Sequence, residues 1–242
     1  QIYRDNGINV EFVGHPKADE ISEVQRIDAK AEARKKLDLR FEAAIQEPPV
    51  IAMLPGSRSS EVKLSAPDFL MAAQIISEQK PGSCFIIPAA NQKRHAQMAG
   101  LIKQHAPQLH IKLVMGESQT AMLAADAVLV NSGTATLEAM LLRRPMVMSY
   151  RLGSLTYAVV SRIVSIKHFA LPNILANEKI VPEYLQSNAT PEALANALLE
   201  LLEDNEHPEL MKRFARIHAD LKRSSGEVAA RAILTLCDKR VV

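Results

Sequence analysis

The feature that most constrains the fold of this chain is a regular alternation of short apolar runs with helical segments between residues 48 and 150. Runs of this length suit buried strands, and the longer segments that follow them suit helices. The predicted strands are 50–54, 84–87, 111–114, 127–130 and 146–149, and the predicted helices are 67–79, 93–105, 119–125 and one that begins near 134. Because parallel strands need crossover connections, this order predicts a doubly wound, Rossmann-like parallel α/β sheet with helices on both faces.

The flanking segments are less regular. Residues 10–13 alternate like a half-buried strand and end at a Gly-His-Pro turn, and residues 29–39 predict a short helix that faces solvent. Residues 155–166 are apolar almost all round, and 171–173 break that pattern. The remaining sequence predicts extra C-terminal helices at 191–202, 209–221 and 226–237.

Composition limits the classes of function. The chain has 242 residues, of which 48% are hydrophobic, which is enough for one substantial core. Its 29 basic and 27 acidic residues are mixed along the sequence, so strong nucleic-acid binding is not expected. The two cysteines stand in no metal-ligand spacing and favour a reducing compartment, by default the cytoplasm. The first residue is Gln1 rather than methionine, and we therefore expect a piece of a longer protein.

The sequence from Asn131 to Glu138 carries the strongest functional signal. Small residues, Ser132-Gly133-Thr134-Ala135-Thr136, follow an apolar strand and open a helical pattern. The exposed amides of a helix start, together with the positive end of the helix dipole, favour a phosphate. Glu138 lies about one turn further on, within reach of a sugar diol beside that phosphate. A nucleotide site is the interpretation we favour, and a simple helix cap by Ser132 or Thr134 is the alternative.

Two further loops follow predicted strands. In Leu54-Pro55-Gly56-Ser57-Arg58, the glycine allows the backbone to approach a ligand, and Ser57 and Arg58 offer a hydroxyl and a planar fork to a phosphate. An ordinary surface turn explains the same residues. At Met115-Gly116 a base can lie against exposed backbone, although a plain strand-to-helix turn is the simpler interpretation. The lysine-bearing phosphate loop and the three-glycine dinucleotide fingerprint are absent, which disfavours ATPases and nicotinamide or flavin dehydrogenases.

Four blocks of sequence together resemble the lipid-A-disaccharide synthase family. They are FVGHP at 12–16, LPGSRSSEV at 54–62, NSGTATLE at 131–138 and LPNILA at 171–176. The blocks fall in the family's order over nearly the whole chain, and the resemblance is to the carboxyl-terminal portion of the family's enzymes. It implies half of an inverting glycosyltransferase of the GT-B type, which has two doubly wound domains around an active-site cleft.

The resemblance also implies a reaction. The family transfers 2,3-diacylglucosamine from UDP-2,3-diacylglucosamine to 2,3-diacylglucosamine 1-phosphate (lipid X), which gives lipid A disaccharide 1-phosphate and UDP. This chain is then the half that binds the UDP-sugar substrate, with no cofactor and no metal, and the general base is expected in the amino-terminal domain. We expect residues 1–47 to be the end of the acceptor domain with a connecting segment, 48–190 the nucleotide-sugar-binding domain, and 191–242 a C-terminal helical segment.

The loops and the resemblance together assign the site residues. Arg58 is predicted to stabilise the departing UDP and Asn173 to contact phosphate or sugar, although a turn residue that caps the next helix is the alternative for Asn173. The predicted UDP-binding residues are Ser57, Arg58, Met115, Gly116, Ser132, Gly133, Thr134, Ala135, Thr136 and Glu138.

The acylated substrates imply peripheral contact with the cytoplasmic face of the inner membrane. The apolar and basic segment 155–169 is a candidate interfacial helix, and a helix buried beside the sheet explains the same pattern. The terminal helices can fold back, reach toward the other domain, or exchange within a homodimer. Two other functions stay open, a GT-B sugar-nucleotide 2-epimerase and a non-catalytic UDP-sugar-binding module.

Overall fold

A six-stranded parallel sheet lies at the centre of the computed structural model, in the order β3-β2-β1-β4-β5-β6. The structure describes residues 2–22, 28–39, 47–131, 133–153, 167–204 and 206–238. The strands are β1 (Val50–Leu54), β2 (Cys84–Ala89), β3 (Ile111–Met115), β4 (Ala127–Asn131), β5 (Met146–Tyr150) and β6 (Glu183–Leu185). All neighbouring strands pair in parallel, so the predicted doubly wound sheet is confirmed.

Helices cover both faces of this sheet. The helices before β1 are α1 (Ile2–Asp5), α2 (Pro16–Glu20) and α3 (Ala29–Lys36); those between the strands are α4 (Ser59–Gln79), α5 (Gln92–His105), α6 (Ser118–Ala124), α7 (Thr134–Leu141) and α8 (Leu171–Ala176). A 3₁₀ turn (Gln186–Asn188) follows β6, and then come α9 (Pro191–Glu203), α10 (Pro208–Leu221) and α11 (Ser225–Asp238). The three predicted C-terminal helices are thus confirmed within a residue at each end.

The alternation of side chains along β1 shows how the two faces are buried. Val50 and Ala52 join a core with α6 and α7 on one face, and Ile51 and Met53 join a core with α4 and α9 on the other. Each of these residues is at most 1% exposed. Burial on both faces explains why the strands are continuous apolar runs rather than alternating ones.

The order of the strands places a crevice beside β1. The chain runs outward from β1 through β2 to β3, then returns to the other side of β1 for β4, where Leu54 pairs with Val130. In doubly wound sheets, ligands bind at the carboxyl ends of the strands where the winding direction reverses. The loops that follow β1 and β4 meet at this point.

The amino-terminal segment docks on the carboxyl-terminal helices. The His15 amide donates a hydrogen bond to the Leu221 carbonyl at 2.9 Å. Gly14 has a φ of +90°, and a Cβ there would lie 2.6 Å from the same carbonyl oxygen, so only glycine fits. Asp19 accepts hydrogen bonds from the backbone between α10 and α11, including one of 2.7 Å from the Ser225 amide.

The predicted strand at 10–13 is wrong. These residues pair with no strand in the described part of the chain, and Phe12 is 52% exposed. The Phe12 ring instead lies 5.1 Å below the guanidinium carbon of Arg223. The alternation of polar and apolar residues therefore belongs here to a segment that packs on the end of α10 and the turn after it, and not to a strand.

Helix α4 begins earlier than predicted. The sequence places its start at Pro67, but the helix runs from Ser59 and Pro67 lies inside it. The Glu61 carboxylate fixes the true start, because it accepts hydrogen bonds from the Ser57 and Arg58 amides just before the first turn. Proline is common at helix starts, which is why the sequence pointed to the wrong residue.

Residues 167–185 contain two elements that the sequence did not predict, helix α8 and the edge strand β6. Strand β6 has only three half-buried residues, too short for a periodic signal. The candidate interfacial helix at 155–169 lies mostly outside the described residues, which resume at 167. No helix among the described residues is both long and apolar enough to cross a membrane.

Candidate functional site

A cavity of about 580 Å³ opens where the loops after β1 and β4 meet. The lining residues come from loops at the carboxyl ends of four strands and from the first turns of α4 and α7. They are Leu54, Gly56, Ser57, Arg58, Glu61, Pro88, Ala89, Ala90, Gly116, Ser118, Asn131, Gly133, Thr134, Ala135 and Glu138. Seven of the predicted site residues therefore share one cavity: Ser57, Arg58, Gly116, Gly133, Thr134, Ala135 and Glu138.

The loop after β1 is held by the carboxylate of Glu61. One oxygen, Oε2, accepts hydrogen bonds from the Ser57 amide at 2.9 Å and the Arg58 amide at 3.1 Å. The other, Oε1, accepts one from the Arg58 guanidinium at 2.7 Å. Burial raises the pKa of Glu61, but the hydrogen bonds from Arg58 and Ser57 outweigh it and leave that pKa below its ordinary value. Glu61 is therefore an anion at neutral pH.

Glycine is needed at position 56 for a different reason from the approach to a ligand that the sequence suggested. Its φ is +127°, and a Cβ would lie 2.5 Å from the Cβ of Glu61 and 2.7 Å from Oε2 of that carboxylate. The close approach that glycine permits is thus to a side chain of the protein's own. Arg58 itself has an 80% exposed side chain at the rim of the cavity.

The loop after β4 ends in the first turn of α7. Gly133 is the N-cap residue, with φ +126°, and no side chain caps the helix at that position. The amides of Thr134 and Ala135, at N1 and N2, have no carbonyl partner within the helix. The alternative interpretation, a helix cap by Thr134, is therefore not seen, and Ser132 lies outside the described residues. A hydrogen bond from the side-chain nitrogen of Asn131 to the Pro55 carbonyl oxygen, 3.2 Å long, joins the two loops.

Glu138 lies one turn into α7 and faces the cavity. Its side chain is 18% exposed, and one oxygen is 4.0 Å from the ammonium nitrogen of Lys17 on α2. The carboxylate is thus close to a neutralising charge while it still borders the cavity. A group with two adjacent hydroxyls could donate to it there.

Another wall of the cavity is lined mostly by small apolar residues. Pro88 and Ala89 end β2 and Ala90 follows it, while Gly116 and Ser118 follow β3. Met115 was predicted to bind the base, but it is not among the lining residues and its side chain is 56% exposed.

Thr136 and Asn173 lie beneath the cavity rather than in it. Both are fully buried. The Asn173 oxygen accepts from the Ile180 and Val181 amides at 2.8 and 2.9 Å, and its nitrogen donates to the Val181 carbonyl at 2.9 Å and to Glu183 at 2.7 Å. The structure thus does not bring the Asn173 amide to the cavity, and the contact with phosphate or sugar stays a prediction.

Sequence reasoning missed Glu61, Asn131 as a bridge between loops, and the wall at 88–90. Glu61 lies three residues after the N-cap Arg58, which is the spacing of a capping box. The wall at 88–90 follows a predicted strand, so the rule for carboxyl ends of strands could have found it. Among the described residues, no three His, Cys, Asp or Glu side chains are arranged to hold a metal ion.

The sequence profile of the lipid-A-disaccharide synthetase family matches residues 1–234. Lipid-A-disaccharide synthase of Pseudomonas putida KT2440 is 43% identical over 99% of this chain and 60% of its own length. The corresponding enzyme of Xylella fastidiosa M23 is 45% identical over 99% of this chain and 61% of its own length. The chain therefore spans about three fifths of the curated relatives that it matches.

Solved structures share the fold at low identity. The UDP co-structure of S. aureus MnaA aligns with a TM-score of 0.57 at 12% identity, over 93% of this chain and 52% of that one. WaaG, a glycosyltransferase involved in lipopolysaccharide biosynthesis, aligns with a TM-score of 0.56 at 15% identity, over 90% and 54%. The predicted fold class, a doubly wound parallel α/β sheet like that of GT-B glycosyltransferases, is confirmed.

Proposed function

The chain belongs to the lipid-A-disaccharide synthetase family, and we propose from this that it supplies the UDP-sugar-binding half of a lipid-A-disaccharide synthase. The proposed reaction transfers 2,3-diacylglucosamine from UDP-2,3-diacylglucosamine to lipid X and releases UDP. Residues 48–190 are the proposed donor-binding unit, residues 1–47 the end of the acceptor domain and its connection, and 191–242 the helical extension. The relatives are longer than this chain, so the acceptor side is proposed to lie in the remainder of such a protein.

One observation carries the proposal. Arg58, the open first turn of α7 and the Glu138 carboxylate border one cavity at the point where the sheet reverses its winding. These groups suit the parts of a nucleoside diphosphate in order. The first turn of α7 and Arg58 bind the diphosphate, Glu138 accepts from the ribose hydroxyls, and the apolar wall at 88–90 and Gly116 receives the base.

The same groups favour departure of UDP. As the bond between the sugar and the diphosphate oxygen breaks, negative charge grows on the distal phosphate. Fixed donors aimed at that charge lower the barrier, each by about 3 kcal/mol where oxyanion donors have been removed from enzymes. We assign this role to Arg58 and to the amides of the loop 132–136. Asn173 is proposed to support the site by holding the chain between α8 and β6, not by reacting.

No residue of this chain is assigned as the general base that takes the acceptor proton. That group is proposed to lie in the rest of the full-length protein. A purified preparation of this chain should therefore bind UDP and form no disaccharide from the two lipid substrates. Formation of disaccharide without an added partner would contradict this division of roles.

Because the proposed substrates are acylated, we also propose that the protein makes peripheral contact with the cytoplasmic face of the inner membrane. A homodimer with exchanged C-terminal helices is also proposed. Its support is the exposed apolar face of α11, where Ile233, Leu234 and Leu236 are 59–63% exposed. Light scattering after size exclusion, with and without residues 225–238, tests this part.

Calorimetric titration with UDP, ADP and NAD tests the nucleotide assignment. We expect UDP to bind and ADP and NAD to bind weakly or not at all. Equal binding of the three ligands would favour a non-catalytic module instead. The 2-epimerase alternative has weaker support, because the matching family profile is that of the synthetase along nearly the whole chain.

A further inference from the structure

The Glu61 carboxylate occupies the donors that an anion would seek in the loop after β1. It accepts from the amides of Ser57 and Arg58 through one oxygen and from the Arg58 guanidinium through the other. Its side chain is 21% exposed and borders the cavity. The carboxylate thus accepts from three donors that could equally bind an oxygen of a phosphate.

A helix cap alone does not account for this arrangement. Capping of the helix start by Glu61 needs only one carboxylate oxygen on the backbone amides, and Oε2 already provides it. The second oxygen is used for the guanidinium of Arg58, which is otherwise exposed to solvent at the cavity rim. Arg58 has more than one donor nitrogen, so it can hold a carboxylate and a phosphate in turn or together.

We propose that Glu61 competes with the diphosphate of UDP for Arg58 and thereby weakens the binding of UDP and speeds its release. The inference rests on the proposed UDP site. Glu61 keeps the two amides throughout, so the turn at Gly56 stays fixed while the guanidinium moves from carboxylate to phosphate. When the diphosphate leaves, Glu61 takes Arg58 back, and its negative charge opposes rebinding. Glu61 is thus a positioning residue for Arg58.

The affinity ratio of UDP to uridine isolates this effect. Uridine lacks the diphosphate, so a change in the cap or in the fold alters both affinities together. Glu61→Gln keeps one oxygen that can accept from the Ser57 and Arg58 backbone amides. It replaces the other oxygen with an NH₂ group, which is a donor and repels the Arg58 guanidinium. We expect this variant to raise the UDP-to-uridine ratio about threefold to tenfold, the size expected for one part-exposed charge close to another, and to slow UDP dissociation in stopped flow by a similar factor.

Two variants serve as controls. Glu61→Asp keeps the negative charge and should leave the ratio near the wild-type value, whereas Glu78→Gln removes the same charge from the exposed far end of α4 and should change nothing. An unchanged or lower ratio in Glu61→Gln, or equal shifts in the Asp and Gln variants, would overturn the inference. If the wild-type chain binds no UDP, the proposed function fails instead.

A measurement on the wild-type chain covers the case in which Glu61→Gln does not fold. The guanidinium resonances of Arg58 and the carboxyl resonance of Glu61 are followed by NMR during titration. UDP should shift both, and uridine should shift neither. Resonances that stay unchanged when UDP saturates the chain would show that Arg58 never leaves Glu61, which contradicts the inference.

Discussion

The Thr136 hydroxyl joins the start of α7 to the start of α8. Its oxygen accepts a hydrogen bond from the Leu171 amide at 3.1 Å, and its hydrogen goes to the Gly133 carbonyl at 2.8 Å. The residue is fully buried, so water cannot replace either partner. The turn that opens the cavity and the block 171–176 are thus held together by one side chain.

Thr136→Val should destabilise this junction. Valine has nearly the same shape but leaves the Leu171 amide without its buried acceptor, so we expect the free energy of unfolding to fall by about 1–3 kcal/mol. Denaturant unfolding measures the change, and Thr136→Ser, which keeps the hydroxyl, is the control. Equal stabilities for the valine and serine variants would show that the hydroxyl contributes nothing.

Asn173→Ala should be more costly. It leaves the buried Ile180 and Val181 amides without their acceptor, and we expect a loss of about 2–4 kcal/mol in the free energy of unfolding. If Asn173 acts only through the fold, UDP affinity measured on the folded fraction should change little. A large loss of UDP affinity in a variant of normal stability would instead support direct contact with the substrate.

Arg58→Ala should weaken UDP but not uridine. The guanidinium is expected to bind the diphosphate, and because it is largely exposed we take the lower end for a charge-assisted hydrogen bond, about 1.5 kcal/mol or roughly tenfold. Calorimetry with both ligands measures it. Arg213→Ala removes an exposed arginine that pairs with Glu178 on the surface, and it should leave both affinities unchanged.

Glu138→Gln should weaken UDP and uridine by the same factor. Both ligands carry the ribose hydroxyls that the carboxylate is proposed to accept, and the loss of a charged acceptor is worth about 1.5 kcal/mol. Glu178→Gln is the control, since it makes the same change at an exposed site. A loss confined to UDP would place Glu138 at the phosphates instead.

Acid should release the start of α11. Hydrogen bonds from the Ser225 hydroxyl, then from the Ser225 amide and from the Ser224 and Arg223 amides, lower the pKa of Asp19 from its ordinary 3.8 against the opposing effect of desolvation. Because the folded-state pKa is the lower one, the stabilisation is complete above the ordinary value and is lost as pH falls through the depressed value. The protection of the amides of residues 225–238, measured as their exchange rate relative to the intrinsic rate at each pH, should fall over that range.

Asp19→Asn should reproduce the acid effect at neutral pH. An amide oxygen accepts more weakly than a carboxylate and the amide nitrogen cannot accept at all. Faster exchange in α11, with unchanged exchange in β1, is the expected pattern. If α11 is equally protected in the variant and the wild type at all pH values, Asp19 does not hold this helix.

The sheet was predictable because its central strands are buried on both faces and therefore consist of consecutive apolar residues. Strands β1, β2, β4 and β5 were found in this way. The edge strand β3 is only half-buried but still carries a mostly apolar run, whereas the edge strand β6, with three half-buried residues, is too short to carry one. The opposite error occurred at 10–13, where alternation that suits a strand belongs to a segment docked on helices. Local pattern cannot distinguish these cases, since the partner lies about 200 residues away in the sequence.

The cavity was predictable to the extent that its residues follow strands. Arg58, Gly133 and Glu138 were found from strand-to-helix turns, since carboxyl ends of parallel strands meet at one edge. The burial of Asn173 could not be predicted, because an asparagine in a loop has the same sequence signature whether its amide points to a ligand or binds buried backbone groups. Glu61 was passed over because the N-cap residue before it is Arg58, not the Ser, Thr, Asp or Asn that marks a capping box in a sequence.

Gly14 has one mechanical consequence. With no room for a Cβ against the Leu221 carbonyl, and with Asp19 bound to the turn before α11, residues 14–19 cannot slide over residues 221–225. Any rotation of the polypeptide about residue 14 must carry the beginning of the last helix with it. The two segments therefore move together, so that a displacement of either one displaces the other.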